Sequence, residues 1–233
     1  MKAVLLVGGK GTRLAEHLPS DTPKAMADIN GKPFLEHLIL YLKKQNFSEI
    51  ILSVGHLKEK IIDYFGDNFQ GVKISYSIEN EPLGTGGAIL NAIKNFDSKK
   101  FIVMNGDSFQ EVNFNDFLNV CKNSKIAIAL REVENAGRYG RVEVLGDKIT
   151  DFQEKGFNNK GLINSGCYLI NKKWFLSLNL PKKFSFEYDF LMKFCKSLEI
   201  NYYLSNGYFV DIGIIEDYQK AKIDIPKLLN VAN

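Results

Sequence analysis

In the first half of the chain, short and almost unbroken apolar runs alternate with stretches in which apolar residues recur every three or four positions. Ala3-Val4-Leu5-Leu6-Val7, Ile50-Ile51-Leu52-Ser53-Val54 and Phe101-Ile102-Val103-Met104 are such runs, the pattern of strands covered on both faces of a parallel sheet. Between them Phe34, Leu35, Leu38 and Leu42 predict an amphipathic helix to about Gln45, and Ile61, Ile62 and Phe65 mark the apolar side of a helix over 57–65. Asn30-Gly31-Lys32-Pro33 predicts a turn with Pro33 just inside the first of these helices. Val72 to Ile78 alternates and predicts a strand, and a helix carrying Ile89, Ile93 and Phe96 follows, with Thr85 as its N-cap. Strand, helix, strand, helix, strand is the rhythm of a doubly wound sheet, whose ligands sit at the carboxyl ends of the strands.

The second half changes character. Ile126 to Leu130, Arg141 to Leu145, Lys148 to Gln153 and Leu162 to Ile170 predict strands joined by short turns such as Gly146-Asp147, with no long helix between them. Helices are expected over 172–178 and 187–198, short strands over 201–204 and 208–210, and a last helix from about Ile215. The expected fold is α/β, a Rossmann-like, mostly parallel sheet flanked by helices with a smaller antiparallel extension. One domain is expected, with about 1–125 as one half and about 126–233 as the other, and without internal repeat, linker or appended domain.

Composition narrows the function classes. A chain of 233 residues with 45% hydrophobic and 24% charged residues suits an ordinary globular protein. The net charge is only +3 and lysines are spread along the chain, which gives no support to nucleic-acid or membrane-surface binding. The N-terminal apolar stretch is too short for a signal peptide and no run reaches 18 apolar residues, so a cytoplasmic location is expected. Cys121, Cys167 and Cys195 form no C-x-x-C pair, and His17, His37 and His56 have no metal-ligand spacing. Buried, reduced thiols are the expectation.

The candidate chemistry starts where the first strand ends. Gly8-Gly9-Lys10-Gly11-Thr12-Arg13-Leu14 is a glycine-rich turn in which backbone N–H groups converge and basic side chains add charge, suited to a phosphate chain. It is neither the dinucleotide fingerprint nor Walker A. Together with Pro23-Lys24-Ala25-Met26 it resembles the signature of the sugar-phosphate nucleotidyltransferases. Asp107, after a buried strand in Asn105-Gly106-Asp107, reads equally as a strand-end cap of the next turn and as a Mg²⁺ ligand on the ligand edge of the sheet; the matching Asn-Gly-Asp of the family that the chain resembles favours the second.

The resemblance implies a reaction in which a sugar 1-phosphate oxygen attacks the α-phosphorus of a nucleoside triphosphate and pyrophosphate departs. It implies that Gly8, Gly9, Gly11 and Thr12 hold the triphosphate, that Arg13 stabilises the leaving pyrophosphate, and that Lys24 lies between the two phosphates. Asp107 and Asp211, in Asp211-Ile212-Gly213, match the positions that hold the catalytic Mg²⁺. Pro82-Leu83-Gly84-Thr85 matches a segment against the nucleobase, and Leu6 and Gly106 belong with the nucleotide contacts. Glu154, Asn164 and Lys155 match sugar and sugar-phosphate ligands, and Tyr139-Gly140 lines the same pocket. Glu187 and Asp189 are further hydroxyl-ligand candidates, with a solvated helix start as the competing reading; Lys10 and Lys32 read as solvated surface.

Base choice rests on Glu79, five residues before Gly84, where relatives using thymidine or uridine nucleotides commonly carry Gln. Guanine offers two adjacent donors that one carboxylate accepts, so Glu79 favours GTP, with Glu81 as a second candidate. In overall run the motifs are similar to the guanylyltransferases acting on D-glycero-α-D-manno-heptose 1-phosphate, which serve surface-layer or capsule glycans. Mannose 1-phosphate with GTP, or a hexose 1-phosphate with UTP or dTTP, are the alternatives, and phosphocholine with CTP is a more distant one. A regulatory subunit without turnover is the alternative of a different class; the presence of Arg13, Lys24, Asp107 and Asp211 argues against it. Homo-oligomerisation stays open.

Overall fold

The computed structural model describes residues 1–9, 11–94, 96–153, 156 and 159–229, with Thr12 and Ala15 described by their backbone alone. The chain gathers into two compact units.

The first unit is assembled from Met1–Pro82, Asn105–Phe109 and Tyr208–Asn233. Its sheet has parallel strands Lys2–Leu6, Glu49–Val54 and Val72–Ile78 in that order, with Ala3 opposite Ile50 and Ile50 opposite Ile74. Consecutive Ala3, Val4 and Leu5 are fully buried, as the unbroken apolar run requires of a strand covered on both faces. The short strand Asn68–Phe69 closes the far edge antiparallel to Val72–Ile78. Helices Phe34–Lys44, Lys58–Phe65 and Ile215–Leu229 belong to the same unit. The apolar stripe of Phe34–Lys44 is wholly buried through Leu35, Leu38, Ile39 and Leu42. Pro33 stands one residue before this helix instead of inside it, because Lys32–Pro33 pairs with Asp28–Ile29 in a hairpin. Asn30 and Gly31, at φ 52° and 79°, make its left-handed turn.

His37 on this helix is 1% exposed; Nε2 lies 3.1 Å from the Ile29 carbonyl, and Nδ1 has no hydrogen-bond partner among the described residues. Burial holds its pKa below the ordinary 6.5, so the folded state favours the neutral ring. The resulting stabilisation is complete above the unfolded value near 6.5 and is lost as the pH falls from there through the lowered folded value. Unfolding free energy measured between pH 7 and 5 should therefore fall with a slope of at most about 1.4 kcal/mol per pH unit from this group. His37→Gln should flatten that fall; an unchanged pH profile would remove His37 as the cause.

The second unit comprises Leu83–Met104 and Gln110–Gly207. Its strands run in the order Val142–Leu145, Lys148–Phe152, Ile200–Leu204, Ile126–Val133, Gly161–Asn171 and Lys100–Asn105. The neighbours are antiparallel except Ile200–Leu204, which runs parallel to Ile126–Val133. Helix Lys172–Ser177 and π-helix Phe186–Met192 connect Gly161–Asn171 to Ile200–Leu204, which runs opposite to Gly161–Asn171 and therefore parallel to Ile126–Val133 between them. A β-bulge interrupts Gly161–Asn171 between Asn164 and Cys167, and Gly166 takes φ 77° there. Tyr168, Phe175, Phe186 and Phe190 stack edge and face into the core beneath the π-helix.

Thr85 is not a cap. Helix Gly84–Ile93 starts after Leu83 with no side-chain cap, and Thr85 sits in its first turn with its hydroxyl engaged elsewhere. Glycine is required here by closeness of approach: a Cβ on Gly86 would stand 2.1 Å from the Phe184 ring, and one on Gly87 2.2 Å from the Lys182 carbonyl. The α/β fold expected from the sequence is borne out, with parallel strands in the first unit and mostly antiparallel pairing in the second. Among the described residues no helix is long and apolar enough to cross a membrane.

Candidate active site

The glycine-rich turn leaves the first strand where it must pass under other backbone. The Val7 N–H continues the ladder to Ser53 at 3.0 Å, and a Cβ on Gly8 would meet the Glu79 carboxylate at 2.9 Å and the Gly55 nitrogen at 3.1 Å. Among the described residues nothing stands within 4 Å of a Cβ on Gly9. Gly11, at φ 58°, is the residue before the short helix Thr12–Ala15, and a Cβ on it would stand 2.7 Å from the Lys24 Cβ. Arg13 is exposed and Leu14 is fully buried, anchoring the turn. Lys10 and the Thr12 side chain lie outside the described residues.

Gly106 brings the carboxylates to this turn. Its N–H donates to the Leu6 carbonyl at 2.9 Å, and a Cβ would stand 2.3 Å from Val7 Cγ1. Asp107 follows directly, and its carbonyl accepts the Ile212 N–H at 3.0 Å, so the strand ending in Asp211 lies alongside. Lys24, after Pro23 in a single 3₁₀ turn, reaches both: Nζ is 2.8 Å from Asp107 Oδ2 and 3.7 Å from Asp211 Oδ1. The side chain of Lys24 is 11% exposed and that of Asp107 is 43% exposed. The Gly213 N–H donates to Asp211 Oδ1 at 2.8 Å.

Three stretches far apart in sequence thus place two carboxylates around one ammonium. The donor set fits a divalent cation: hard oxygen donors already converge on a positive charge, the trio carries one net negative charge, and Asp107 is partly open to solvent. Among the described residues no three His, Cys, Asp or Glu side chains group to cage a metal, so the remaining coordination positions would fall to water and to phosphate.

Glu79 extends from the end of the third parallel strand. Its N–H donates to the Val54 carbonyl at 2.8 Å, and its Oε1 accepts from Ser53 Oγ at 3.1 Å. The carboxylate therefore lies over Gly8, beside the turn. Glu81 and Pro82 are exposed.

In the second unit, Asn164 sits at the bulge. Its Oδ1 accepts the Gly166 N–H at 2.9 Å and its Nδ2 donates to the Tyr168 hydroxyl at 3.0 Å, which in turn donates to Glu187 Oε1 at 3.1 Å. Ser165 Oγ donates to the Ala129 carbonyl at 2.6 Å and Gln110 Nε2 to the Ser165 carbonyl at 3.0 Å, pinning the bulge from both sides. Glu187 Oε2 accepts from Thr85 Oγ1 at 2.6 Å, and Thr85 Oγ1 accepts the Phe186 N–H at 2.8 Å. Gly84, at φ 71°, passes against the Phe184 carbonyl, where a Cβ would stand 2.5 Å away. The sequence reading singles out Asn164, Thr85 and Glu187 separately; the structure brings them into one network and adds Tyr168.

Tyr139 and Gly140 form a turn against Gln153, whose carbonyl would lie 2.8 Å from a Cβ on Gly140. The next residues, Glu154 and Lys155, lie outside the described residues. Asp189 accepts the Ser185 N–H at 2.7 Å, which serves the start of the π-helix, and Lys32 pairs with the buried Glu36 at 3.0 Å. Cys121, Cys167 and Cys195 are buried and free, and burial pushes all three thiols up, away from nucleophilic use.

The sequence model of the nucleotidyl transferase family matches residues 2–227. The chain is 47% identical over 220 residues to a D-glycero-alpha-D-manno-heptose 1-phosphate guanylyltransferase of Campylobacter jejuni, covering 94% of this chain and 97% of the relative. To the enzyme of the same name from Aneurinibacillus thermoaerophilus it is 40% identical over 227 residues, covering 97% and 98%. Among solved structures, HddC from Yersinia pseudotuberculosis superposes with a TM-score of 0.86 at 43% identity, covering 95% of this chain and 97% of that one; a second structure of it, complexed with GMP-PN, gives 0.85. A match running nearly end to end, on a chain whose glycine turn, lysine and paired aspartates converge as they do here, makes this protein a member of the nucleotidyl transferase family.

Proposed function

We propose that the protein transfers the guanylyl group of GTP to D-glycero-α-D-manno-heptose 1-phosphate, giving GDP-heptose and pyrophosphate. We place the reaction in the cytoplasm, with Mg²⁺, for a surface glycan. The convergence of Lys24, Asp107 and Asp211 beside the glycine-rich turn is the observation that carries the reaction class. The sugar and the base rest on the heptose guanylyltransferases, 40% and 47% identical to this chain over nearly full length.

A phosphate monoester with a second pKa of about 6 is mostly a dianion at neutral pH, so the nucleophile needs no general base. Its oxygen bonds to the α-phosphorus and the bond from that phosphorus to the β-phosphate oxygen breaks, with no proton passing to the protein. The obstacle is repulsion between two polyanions held in line, and the protein's part is positive charge and positioning. Gly8, Gly9, Gly11 and Thr12 hold the triphosphate, with Leu6 and Gly106 shaping the floor beneath it. Arg13 stabilises charge on the departing pyrophosphate, and Lys24 neutralises the two phosphates as they approach. Asp107 and Asp211 would hold Mg²⁺, which would supply neutralisation of the phosphate charge.

Glu79 accepts the two adjacent donors of guanine, and Pro82, Gly84 and Thr85 are further residues of the nucleotide site. Asn164, Glu154, Lys155, Tyr139, Gly140 and Glu187 serve the sugar and its phosphate. Asn164 enters this role with its amide orientation set: Tyr168 gives its proton to Glu187 and so accepts from the Asn164 nitrogen.

Pyrophosphate release with Mg²⁺ across GTP, ATP, CTP, UTP and dTTP, each paired with heptose, mannose and glucose 1-phosphates, tests the proposal. Selective release with GTP and the heptose phosphate is expected, and turnover confined to another pair would discard it. Glu79→Gln should lower the preference for GTP over UTP or dTTP about tenfold or more, the scale of one bidentate carboxylate contact with a base edge. Unchanged nucleotide selectivity in that variant would sink the assignment of Glu79.

A further inference from the structure

Ser53 is the one hydroxyl in the run Ile50-Ile51-Leu52-Ser53-Val54, and it is fully buried. A hydroxyl taken out of water in the middle of a sheet is costly unless bonded, and an alanine or a valine would suit the strand without that requirement. Ser53 Oγ donates to Glu79 Oε1 at 3.1 Å. Its neighbours across the ladder are Leu6, the last residue of the first strand, and Ser77 on the strand that leads to Glu79. The hydroxyl is therefore set among the elements that form the nucleotide side of the first unit.

We propose that Ser53 is a positioning residue for nucleotide selectivity, holding the Glu79 carboxylate in the orientation that accepts the two donors of guanine. The inference rests on the guanylyl reading of Glu79. The Glu79 backbone is already tied to the sheet by its N–H bond to Val54. The Ser53 hydroxyl ties the other end, so a side chain with three free torsions enters binding with its rotamer set. The same bond accounts for Gly8: with the carboxylate held there, a Cβ on residue 8 would come within 2.9 Å of Oε1. Glycine at that position follows from the placement of Glu79 as much as from the turn.

The test is nucleotide affinity by titration calorimetry on the whole chain, for GTP and for UTP, in the parent, Ser53→Ala, Glu79→Gln and the double variant. Ser53→Ala should weaken GTP about three- to tenfold, the scale of one ordered side chain, and UTP much less. In the Glu79→Gln background the further loss for GTP should shrink to near zero, because the hydroxyl acts through the carboxylate. A structural role would lower both nucleotides alike and persist in that background. Ser53→Cys, which keeps the volume with a weak donor, should fall between the parent and alanine, and it replaces Ser53→Ala if the latter unfolds. Equal losses for GTP and UTP, or additive losses in the double variant, would overturn the assignment of Ser53 while leaving that of Glu79. A parent that binds GTP no better than UTP would overturn the guanylyl reading and this inference with it.

Discussion

Asp107→Asn is expected to lower metal-dependent pyrophosphate release about a hundred- to thousandfold while leaving the fold intact, the scale seen when one electrostatic group aimed at developing charge is removed. The amide keeps the shape of the carboxylate and the backbone that matters, since the Asp107 carbonyl still accepts the Ile212 N–H. What it removes is a full negative charge 2.8 Å from Lys24 Nζ and a hard oxygen donor on the more open side of the trio. With the side chain 43% exposed, stability should shift little, because solvent screens such a pair. The melting temperature and the Mg²⁺ dependence of turnover, measured together, check this. A variant that melts as the parent does and turns over at the parent's rate would take Asp107 out of the mechanism.

How Asp107 reaches that position shows what the sequence carries and what it does not. The run Phe101 to Met104 predicts a buried strand by local pattern alone, and strand Lys100–Asn105 follows it within a residue at each end. The pairing of the next few residues with Phe209–Asp211 is a contact between stretches about a hundred positions apart, and no local pattern reports it. Convergence of the two aspartates is legible only through the family resemblance. The same distinction explains Thr85. A threonine ahead of an apolar-periodic stretch is a proper N-cap signal, yet Gly84 already continues the turn and the hydroxyl goes to Glu187, about a hundred residues on. Tertiary partners override a local rule when they offer a stronger acceptor.

Helix Phe114–Val120 escapes the periodic reading because seven residues give too few repeats, although Asn113, which caps it onto the Asp116 N–H, was a usable signal. The parallel pairing of Ile200–Leu204 could not be read from alternation, which is the same for either direction; it follows from the strand's place on the far side of Ile126–Val133 from Gly161–Asn171. Ser53 was visible as a polar interruption of an apolar strand. A buried hydroxyl becomes informative once its acceptor is known, and Glu79 is 26 residues away.

Lys24→Met should move two quantities in opposite directions. Turnover should fall about a hundredfold or more, because the variant loses the Lys24 ammonium between the two carboxylates and, under the proposed mechanism, the charge between the two phosphates. Affinity of the nucleotide-free protein for Mn²⁺ or Mg²⁺ should rise several-fold. The ammonium, 2.8 Å from Asp107 and 3.7 Å from Asp211, neutralises the carboxylates that would hold the cation, and unit charges about 4 Å apart near a protein surface interact by about 4 kcal/mol before salt screening. Methionine keeps the unbranched stem that packs on Gly11, where a Cβ would stand 2.7 Å from that of Lys24, so the turn should hold its shape. Without the ammonium the two carboxylates repel, and added Mg²⁺ should raise the melting temperature of the variant by more than it raises the parent's. Calorimetry or paramagnetic resonance with Mn²⁺ reads the affinity without any turnover. A fall in metal affinity alongside the fall in rate would show that the ammonium and the cation do not share Asp107 and Asp211, and the carboxylate pair would then have to be assigned to holding Lys24 alone.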